Sequence, residues 1–350
     1  MNEGDAYMRK LYQAIEERLK HLDFDKLWPG FNPVPFALYN QDKVYLKNEV
    51  IDRTSAFYGN TAIEYKGTPL AIWYIEKKYD MVNVDKLSSL IVHEMFHAYQ
   101  NKEKDKRAPN EVKALDYGYD EVNLTLKNEE HRSMVLYYLH QREEDYTALE
   151  ESRNYRKQHF PNAFDYETRL ETHEGLAQYV ELKALEQLNP RLAKNKVNKL
   201  LNRILVPDQL VPIRALCYDS GTTLMLIAEK RQIDLFHTIG KEEATLSDLL
   251  FNSKPVHNID VEINPLITEA IEKHNQYKKD AIASIQNVEH TTLRGPFKLA
   301  GLDPFNTIKL DNTIYCKHFL AYFEQGEMKA VQQSCIATVN EDFEILEIKY

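Results

Sequence analysis

The stretch from Leu87 to Gln100 constrains this chain more than any other part of its sequence. It reads LSSLIVHEMFHAYQ and contains His93, Glu94 and His97 in the spacing HExxH. On a helix the two histidines lie about 40° apart around the axis and one turn apart along it, so both imidazoles can meet one metal ion. The stretch therefore predicts a helix that carries a metal site with its own general base.

Zinc is the metal that this pattern favours. Zinc held by two histidines and a third protein ligand keeps one position for water and lowers the pKa of that water towards neutrality. Glu94, beside the first histidine, can then take the proton as the water attacks a carbonyl. The alternative is that the three residues fell into this pattern on an ordinary half-buried helix. Two further stretches favour the metal site.

The first of these stretches, Glu171 to Glu181, reads ETHEGLAQYVE and offers a third ligand. On a helix, Glu174, Gln178 and Glu181 share one face. One carboxylate can complete the metal site, and the other can accept a hydrogen bond from a ligand histidine N–H. Taken alone, the stretch also fits a solvated acidic face of an amphipathic helix.

The second stretch, Tyr218 to Ile227, reads YDSGTTLMLI and places a tyrosine and a glycine at the head of an apolar helical run. Because Pro207 and Pro212 precede it, we expect Tyr218 near a helix start. Its phenol could donate a hydrogen bond to an oxyanion, although a buried core tyrosine is the more common fate of such a residue.

In this order the three stretches resemble the gluzincin metallopeptidases, and among them the aminopeptidase N group. That group has HExxH, then a helix with EGxxxYxE, then YxKG. The matching residues here are His93, Glu94, His97, Glu174, Gly175, Tyr179, Glu181, Tyr218 and Gly221.

The resemblance implies a thermolysin-like catalytic core, a peptide or protein substrate and a defined role for each residue. It implies one zinc ion held by His93, His97 and Glu174, with Glu94 as general base and Tyr218 steadying the tetrahedral intermediate. Glu174 is preferred to Glu171 as third ligand because it precedes the glycine of the motif. Glu181 and Glu171 are then expected to support the ligands from outside.

Three departures limit what the resemblance carries over. Between His97 and Glu174 lie 76 residues, far more than is usual in that group, so the chain has a long insertion between the two ligand helices. Ser220 replaces the lysine of YxKG, and FYGNTAIEYKG lacks the Met-Glu-Asn that grips a free amino group. Metal-dependent hydrolysis transfers, and aminopeptidase specificity does not.

Composition excludes several partners and compartments. The net charge of -10, without a run of basic residues, argues against nucleic acid and against an acidic membrane surface. Three scattered cysteines, Cys217, Cys316 and Cys335, predict neither a disulfide framework nor a zinc ribbon. With no signal-like N-terminus and no long apolar run, we expect a cytoplasmic protein without a membrane span.

The pattern along the chain predicts an α+β fold. Residues 1–290 are expected to form a zincin-like domain with an N-terminal helix, Tyr7 to Leu22, and a small, mostly antiparallel sheet before the HExxH helix. The predicted strand regions are Phe36 to Tyr45, Ser55 to Tyr65 and Pro69 to Tyr74. Residues 291–350 are expected to form a small β module, which is more typical of a structural role than of a catalytic one.

The insertion, at about residues 101–164, is expected to be helical. One predicted helix runs from Asn128 to Gln158, and the next, with the third ligand, begins at Asp165. In the first of these helices the apolar residues are expected inside and the Glu, Arg and Lys residues outside. The apolar set is Met134, Leu136, Tyr138 and Leu139, and three isolated histidines, His131, His140 and His159, are expected to be surface or cap residues.

Together these observations predict a zinc-dependent metallopeptidase with one zinc per chain. The alternative is a metal-binding or scaffold protein of the same fold that has lost turnover. Glu94 counts against that alternative, because metal storage has no need of a base. The sequence leaves the cleavage specificity and the oligomeric state open.

Overall fold

The computed structural model describes residues 3–76, 82–255, 259–287 and 291–350. Its helices are α1 (Glu3–Lys20), α2 (Phe24–Leu27), α3 (Val84–Lys102), α4 (Glu121–His140), α5 (Glu143–His159), α6 (Pro161–Leu188), α7 (Pro190–Ile204), α8 (Arg214–Lys230), α9 (Leu246–Leu250) and α10 (Pro265–Gln286). Its strands are β1 (Phe36–Tyr39), β2 (Lys43–Tyr45), β3 (Val50–Asp52), β4 (Thr61–Tyr65), β5 (Thr68–Tyr74), β6 (Thr292–Leu302), β7 (Thr307–Leu310), β8 (Thr313–Cys316), β9 (Leu320–Glu324), β10 (Glu327–Val331), β11 (Cys335–Val339) and β12 (Glu344–Lys349). The fold is mixed helix and strand, with a small sheet near the N-terminus and a β module at the C-terminal end.

The small sheet has the strand order β3-β2-β1-β5-β4, and only its β1–β5 pair is parallel. The region from Phe36 to Tyr45, whose residues Tyr39-Asn40-Gln41-Asp42 are typical of a turn, is a hairpin. Asn40 Oδ1 accepts hydrogen bonds from the backbone N–H groups of Asp42 and Lys43, which turns the chain between β1 and β2. From the region Ser55 to Tyr65, only β4 is a strand.

Helix α3 packs on this sheet and carries the HExxH residues. Asn83 caps its N-terminus, since the Asn83 side chain accepts a hydrogen bond from Lys86 N. The buried side chains shared by the helix and the sheet are Phe36, Leu38, Ala71, Leu87, Ile91 and Met95. The sheet thus buries the apolar face of α3, and the face with His93 and His97 turns towards α6.

The inserted segment differs from its prediction in two ways. The single helix expected from Asn128 to Gln158 is two helices, because Gln141 adopts a left-handed conformation (φ 55°) between α4 and α5. Helix α6 begins at Pro161 and not at Asp165, since proline is well tolerated in a first helical turn.

The predicted inner and outer faces of this insertion are confirmed only in part: Met134 is fully buried as expected, and Leu136 and Tyr138 are half-buried. Leu139 is 57% exposed, whereas the charged residues expected outside include a fully buried group. The members of that group on α4 and α5 are Lys127, Glu130, Arg153 and Arg156. The charged faces of α4 and α5 are therefore directed at α6, where they find partners.

Helices α6 and α8 approach each other closely through two glycines. A Cβ added at Gly175 would lie 2.6 Å from Gly221 Cα, and one added at Gly221 would lie 2.2 Å from the carbonyl oxygen of Glu171. Neither position has room for a side chain, and the contact brings Glu174 on α6 next to the start of α8.

The C-terminal β module is one antiparallel sheet with the strand order β10-β9-β6-β12-β11-β8-β7. Its strands β8 and β11 pack on α10, where Ala281 and Ile282 share a buried cluster with Tyr315 and Ile336. This contact anchors the module to the helical part. None of the helices in the described part of the chain combines the length and the apolar composition needed to cross a bilayer.

Candidate metal centre

The structure brings three sequence-predicted ligands together at one point. His97 Nε2 lies 3.1 Å from both His93 Nε2 and Glu174 Oε2, and the third side of the triangle, His93 Nε2 to Glu174 Oε2, is 3.7 Å. Tetrahedral zinc with bonds of roughly 2.0–2.1 Å separates its ligand atoms by about 3.3 Å. The spacing of the three atoms therefore fits one such ion.

The outer nitrogens of both histidines face acceptors. His97 Nδ1 lies 2.7 Å from Gln100 Oε1, and the orientation of that amide is fixed because Gln100 Nε2 donates to the carbonyl of His173. His93 Nδ1 lies 3.5 Å from Glu181 Oε2, at the long limit of a hydrogen bond. These acceptors favour protons on both Nδ1 atoms, which leaves both Nε2 lone pairs directed at the same point.

His93 and Glu174 strongly shift each other's pKa values. Burial lowers the pKa of His93, but hydrogen bonds with Glu174 and Glu181 outweigh it and raise that pKa to about 10. Burial raises the pKa of Glu174, yet the charges and hydrogen bonds of His97 and His93 hold it well below its ordinary value. A metal ion and a proton therefore compete for the same lone pairs.

Glu181 is itself held in place by a lysine. Lys196 on α7 forms an ion pair with Glu181 Oε1, and the opposite carboxylate oxygen faces His93. Burial raises the pKa of Glu181, while Lys196 and the hydrogen bond with His93 lower it to about 2. The carboxylate is therefore ionised and positioned to orient the His93 ring.

Glu94 lies beside the triangle and is 8% exposed. Burial raises the pKa of its carboxyl group, and the neighbouring charges of His93 and His97 only partly offset that rise. A carboxylate with a raised pKa takes up a proton more readily than an exposed glutamate does, which suits a group that moves a proton near neutral pH.

Tyr218 and Arg214 also lie next to the three candidate ligand side chains. Arg214 Nη2 donates to Glu174 Oε1 at 3.1 Å and lies 3.4 Å from the Tyr218 hydroxyl. The Tyr218 ring is stacked nearly parallel to the His93 ring, with centroids 6.3 Å apart. Burial and the charge of Glu174 raise the pKa of Tyr218 well above its ordinary value, so its hydroxyl keeps its proton and remains a donor.

Other residues of the matched motifs hold the helices together. Gln178 Nε2 donates to Asp219 Oδ1 at 2.8 Å, and the Tyr179 hydroxyl donates to Glu229 Oε1 at 2.6 Å. Both bonds join α6 to α8. With the Gly175–Gly221 approach, they fix the orientation of the third-ligand helix.

The structure places Glu171 apart from the ligands that it was expected to support. Its carboxylate accepts hydrogen bonds from Lys127 Nζ at 2.5 Å, from Arg153 Nη2 at 2.6 Å and from the Ser220 hydroxyl at 2.7 Å. Ser220 thus donates one of the three hydrogen bonds that hold the Glu171 carboxylate. Glu171 belongs to a buried ion-pair cluster whose members are Lys127, Glu130, Arg153, Arg156, Glu167 and Glu171.

The surface position predicted for the three histidines of the insertion is confirmed for His140 and His159 and is wrong for His131. His131 is fully buried, and its Nδ1 lies 3.0 Å from the carbonyl oxygen of Ile204. Burial and the charge of Lys127 lower its pKa to about 3, so the ring is neutral. With Glu130 and Glu171 it forms a second group of close ligand atoms, but Lys127 and Arg153 already neutralise those two carboxylates.

Sequence reasoning missed Arg214, Gln100 and Lys196. Two of them carry a local signal, since Arg214 lies one helical turn before Tyr218 and Gln100 lies one turn after His97. Lys196 carries none, because its position next to Glu181 depends on how α7 folds back on α6. Comparison of the chain with protein-family models, with curated proteins and with solved structures gives no match in any of the three.

Proposed function

We propose that the chain is a zinc-dependent peptidase in which His93, His97 and Glu174 bind one zinc ion and Glu94 is the general base. One observation carries the proposal: two Nε2 lone pairs and one carboxylate oxygen converge within 3.1–3.7 Å beside a buried carboxyl group. When bound there, zinc would supply Lewis-acid chemistry and lower the pKa of a water molecule.

Glu94 supplies the proton transfers. Because burial raises its pKa, its carboxylate can accept the proton of the attacking water and return it to the leaving amine. Metal storage alone does not require such a group, and burying a carboxyl group costs free energy. This cost favours a hydrolase over the alternative, a metal-binding or scaffold protein without turnover.

Tyr218 and Arg214 supply donors opposite Glu94. The Tyr218 hydroxyl keeps its proton and can donate to the oxygen of the scissile carbonyl as negative charge develops there. Arg214 holds the far oxygen of Glu174, which leaves Oε2 directed at the two histidines. Arg214 thus positions the third ligand, and its charge adds to the positive field around the carbonyl.

Hydrolysis of a mixed library of quenched peptides, with and without a chelator, tests the proposal. We expect turnover that the chelator abolishes and that added zinc restores. Elemental analysis of protein purified without added metal should give about one zinc per chain. A ratio near two, no retained metal, or turnover that is indifferent to the chelator would contradict the proposal.

Glu94→Gln separates the peptidase from the silent metal-binding alternative. The amide cannot accept a proton, so we expect zinc content and melting temperature to be kept while turnover falls by about 100- to 10,000-fold. Glu103→Gln, an exposed change at the end of the same helix, is the control and should leave turnover unchanged. Equal activity of the two variants would mean that another base operates.

A further inference from the structure

A cavity of about 190 Å³ lies next to the metal centre, between α8, α10 and the β module. Its wall includes the aromatic residues Tyr119, Tyr277 and Phe305. An apolar cavity of about 150 Å³ is large enough to hold benzene, so this one has room for a single amino-acid residue of a ligand.

A single side chain, that of Arg214, separates the cavity from Glu174, the proposed third ligand. Arg214, which lines it, donates to Glu174 Oε1 at 3.1 Å, and the guanidinium carbon of Arg214 lies 5.0 Å from the centre of the Phe305 ring. Tyr218 also lies between the candidate ligands and the cavity wall. The centre of its ring is 6.3 Å from that of His93 and 5.8 Å from that of Phe305. Arg214 and Tyr218 therefore contact both the candidate metal ligands and the aromatic wall of the cavity.

Arg214 is a buried positive charge at this wall. Its Nη1 donates to both carboxylate oxygens of Glu111 at 2.7 Å, and its Nη2 serves Glu174. Its Nε–H is buried and has no hydrogen-bond partner among the described residues. Arg214 is only 6% exposed, and because it lines the cavity its positive charge acts on whatever the cavity holds.

Lys278 is a second cation without an acidic partner. Within the described ranges it forms no ion pair, and its ammonium group lies 5.5 Å from the centre of the Tyr119 ring. Lys309, the other lysine of the wall, is paired with Asp116 at 2.5 Å. Glu111 is the single acidic residue among the described residues of the wall, and Arg214 already binds it.

Burial and neighbouring charges lower the pKa values of two basic residues in the wall. Burial and the charge of Lys309 lower the pKa of Lys278, which is the effect of a cation held near another cation. Burial and Lys278 lower the pKa of the neighbouring His274 to about 4, so this ring is neutral at neutral pH. A carboxylate in the cavity would relieve the repulsion between the two lysines.

We propose that this cavity binds a carboxylate-bearing residue of the peptide substrate, with Lys278 as the donor, Arg214 as a second positive charge, and Phe305 and Tyr277 as the apolar wall. The proposal rests on the proposed function, because it takes the ligand to be a peptide that reaches the metal centre. The carboxylate is either the C-terminus of the peptide or the side chain of an acidic residue, and the recognition chemistry is the same.

Calorimetric titration of the zinc-loaded Glu94→Gln protein tests this without turnover. The probes are acetyl-Ala-Ala-Phe as the free acid, the same peptide as the C-terminal amide, and acetyl-Ala-Ala-Glu amide. We expect at least one carboxylate-bearing probe to bind about tenfold or more tightly than the Phe amide. Preference for the free acid identifies a C-terminal carboxylate, and preference for the Glu amide identifies an acidic side chain.

Variants of Lys278, made in the same Glu94→Gln protein, locate the contact. Lys278→Met should remove most of the carboxylate preference, and Lys278→Arg, which keeps the charge, should retain it. Lys279→Met makes the same charge change at an exposed neighbouring position and should retain the preference too. Melting temperatures of the three variants check that each is folded.

The proposal is overturned if no probe binds, if the Phe amide binds as well as both carboxylate probes, or if Lys278→Met behaves like Lys279→Met. Failure of the proposed function looks different. In that case wild-type protein shows no zinc-dependent hydrolysis, while the carboxylate preference and its loss in Lys278→Met persist. The cavity would then be a carboxylate site of a protein that binds peptides without cleaving them.

Discussion

Replacing Tyr218 by phenylalanine tests the chemical role of its hydroxyl against a purely structural one. The structure makes the stability cost small, because Arg214 Nη2 is 3.4 Å from the hydroxyl, longer than a good hydrogen bond. Losing this contact should cost about 0.5–1 kcal/mol and lower the melting temperature by at most about 2–4 °C.

The cost in turnover should be much larger if the hydroxyl donates to the developing oxyanion. Removal of one such donor lowers kcat by about 100- to 1,000-fold, which corresponds to about 2.7–4 kcal/mol. The contact exists mainly in the transition state, so KM should change little. The assay is the steady-state kinetics of a cleavable peptide beside a thermal melt of the same proteins.

Tyr166→Phe provides a matched control. The Tyr166 hydroxyl also lies near Arg214, at 3.5 Å from Nη1, but on the side away from Glu174. We expect this variant to keep its kcat. An unchanged kcat with a lowered melting temperature in Tyr218→Phe would refute the oxyanion role and assign Tyr218 to the core. An equal loss in both variants would instead assign the effect to the position of Arg214.

Three further predictions concern the metal, its third ligand and the helix contact beneath it. Because the pKa of His93 is raised to about 10, zinc binding at pH 8 should release about one proton. The affinity for zinc should then fall about tenfold for each pH unit below 8. A zinc titration in weak buffer that released no proton would contradict this. Glu174→Gln should lose zinc, and it should also lower the free energy of unfolding because buried Arg214 loses a charged partner. Glu171→Gln should keep zinc but lower the free energy of unfolding by about 3–5 kcal/mol. Elemental analysis that found zinc in the first variant and none in the second would contradict this. Gly221→Ala should lower the free energy of unfolding by about 1–3 kcal/mol or more, because the added Cβ would meet the carbonyl oxygen of Glu171. Gly118→Ala is the control: a Cβ at Gly118 meets no neighbouring atom, so this variant should have the same free energy of unfolding as the wild type in denaturant melts.

The local parts of the site could be predicted from the sequence. The HExxH helix and the helical spacing that places Glu174 and Glu181 on one face both depend on residues within a few turns of each other. The order of the three motifs then indicated that the helices carrying His93, Glu174 and Tyr218 would meet. Periodicity and capping are short-range properties, and the sequence displays them directly.

The insertion could not be predicted in the same way. Charged residues at helical spacing usually form a solvated face, because burying an unpaired charge is costly. Here Arg156 on α5 reaches Glu130 on α4 at 2.7 Å and Glu167 on α6 at 2.5 Å. Each buried charge is acceptable only because its partner lies on another helix, and such pairing between helices has no signature in the local sequence.

The same cluster explains how a long insertion is compatible with an intact ligand set. Glu171 lies one turn before Glu174 on α6, and its carboxylate is bound by Lys127 from α4 and Arg153 from α5. Ser220 on α8 completes its contacts, beside the glycine that lets α8 approach α6. Since a helix is stiff over a single turn, fixing Glu171 from three sides also fixes the direction of Glu174. Helices α4 and α5 therefore support the position from which Glu174 faces the two histidines.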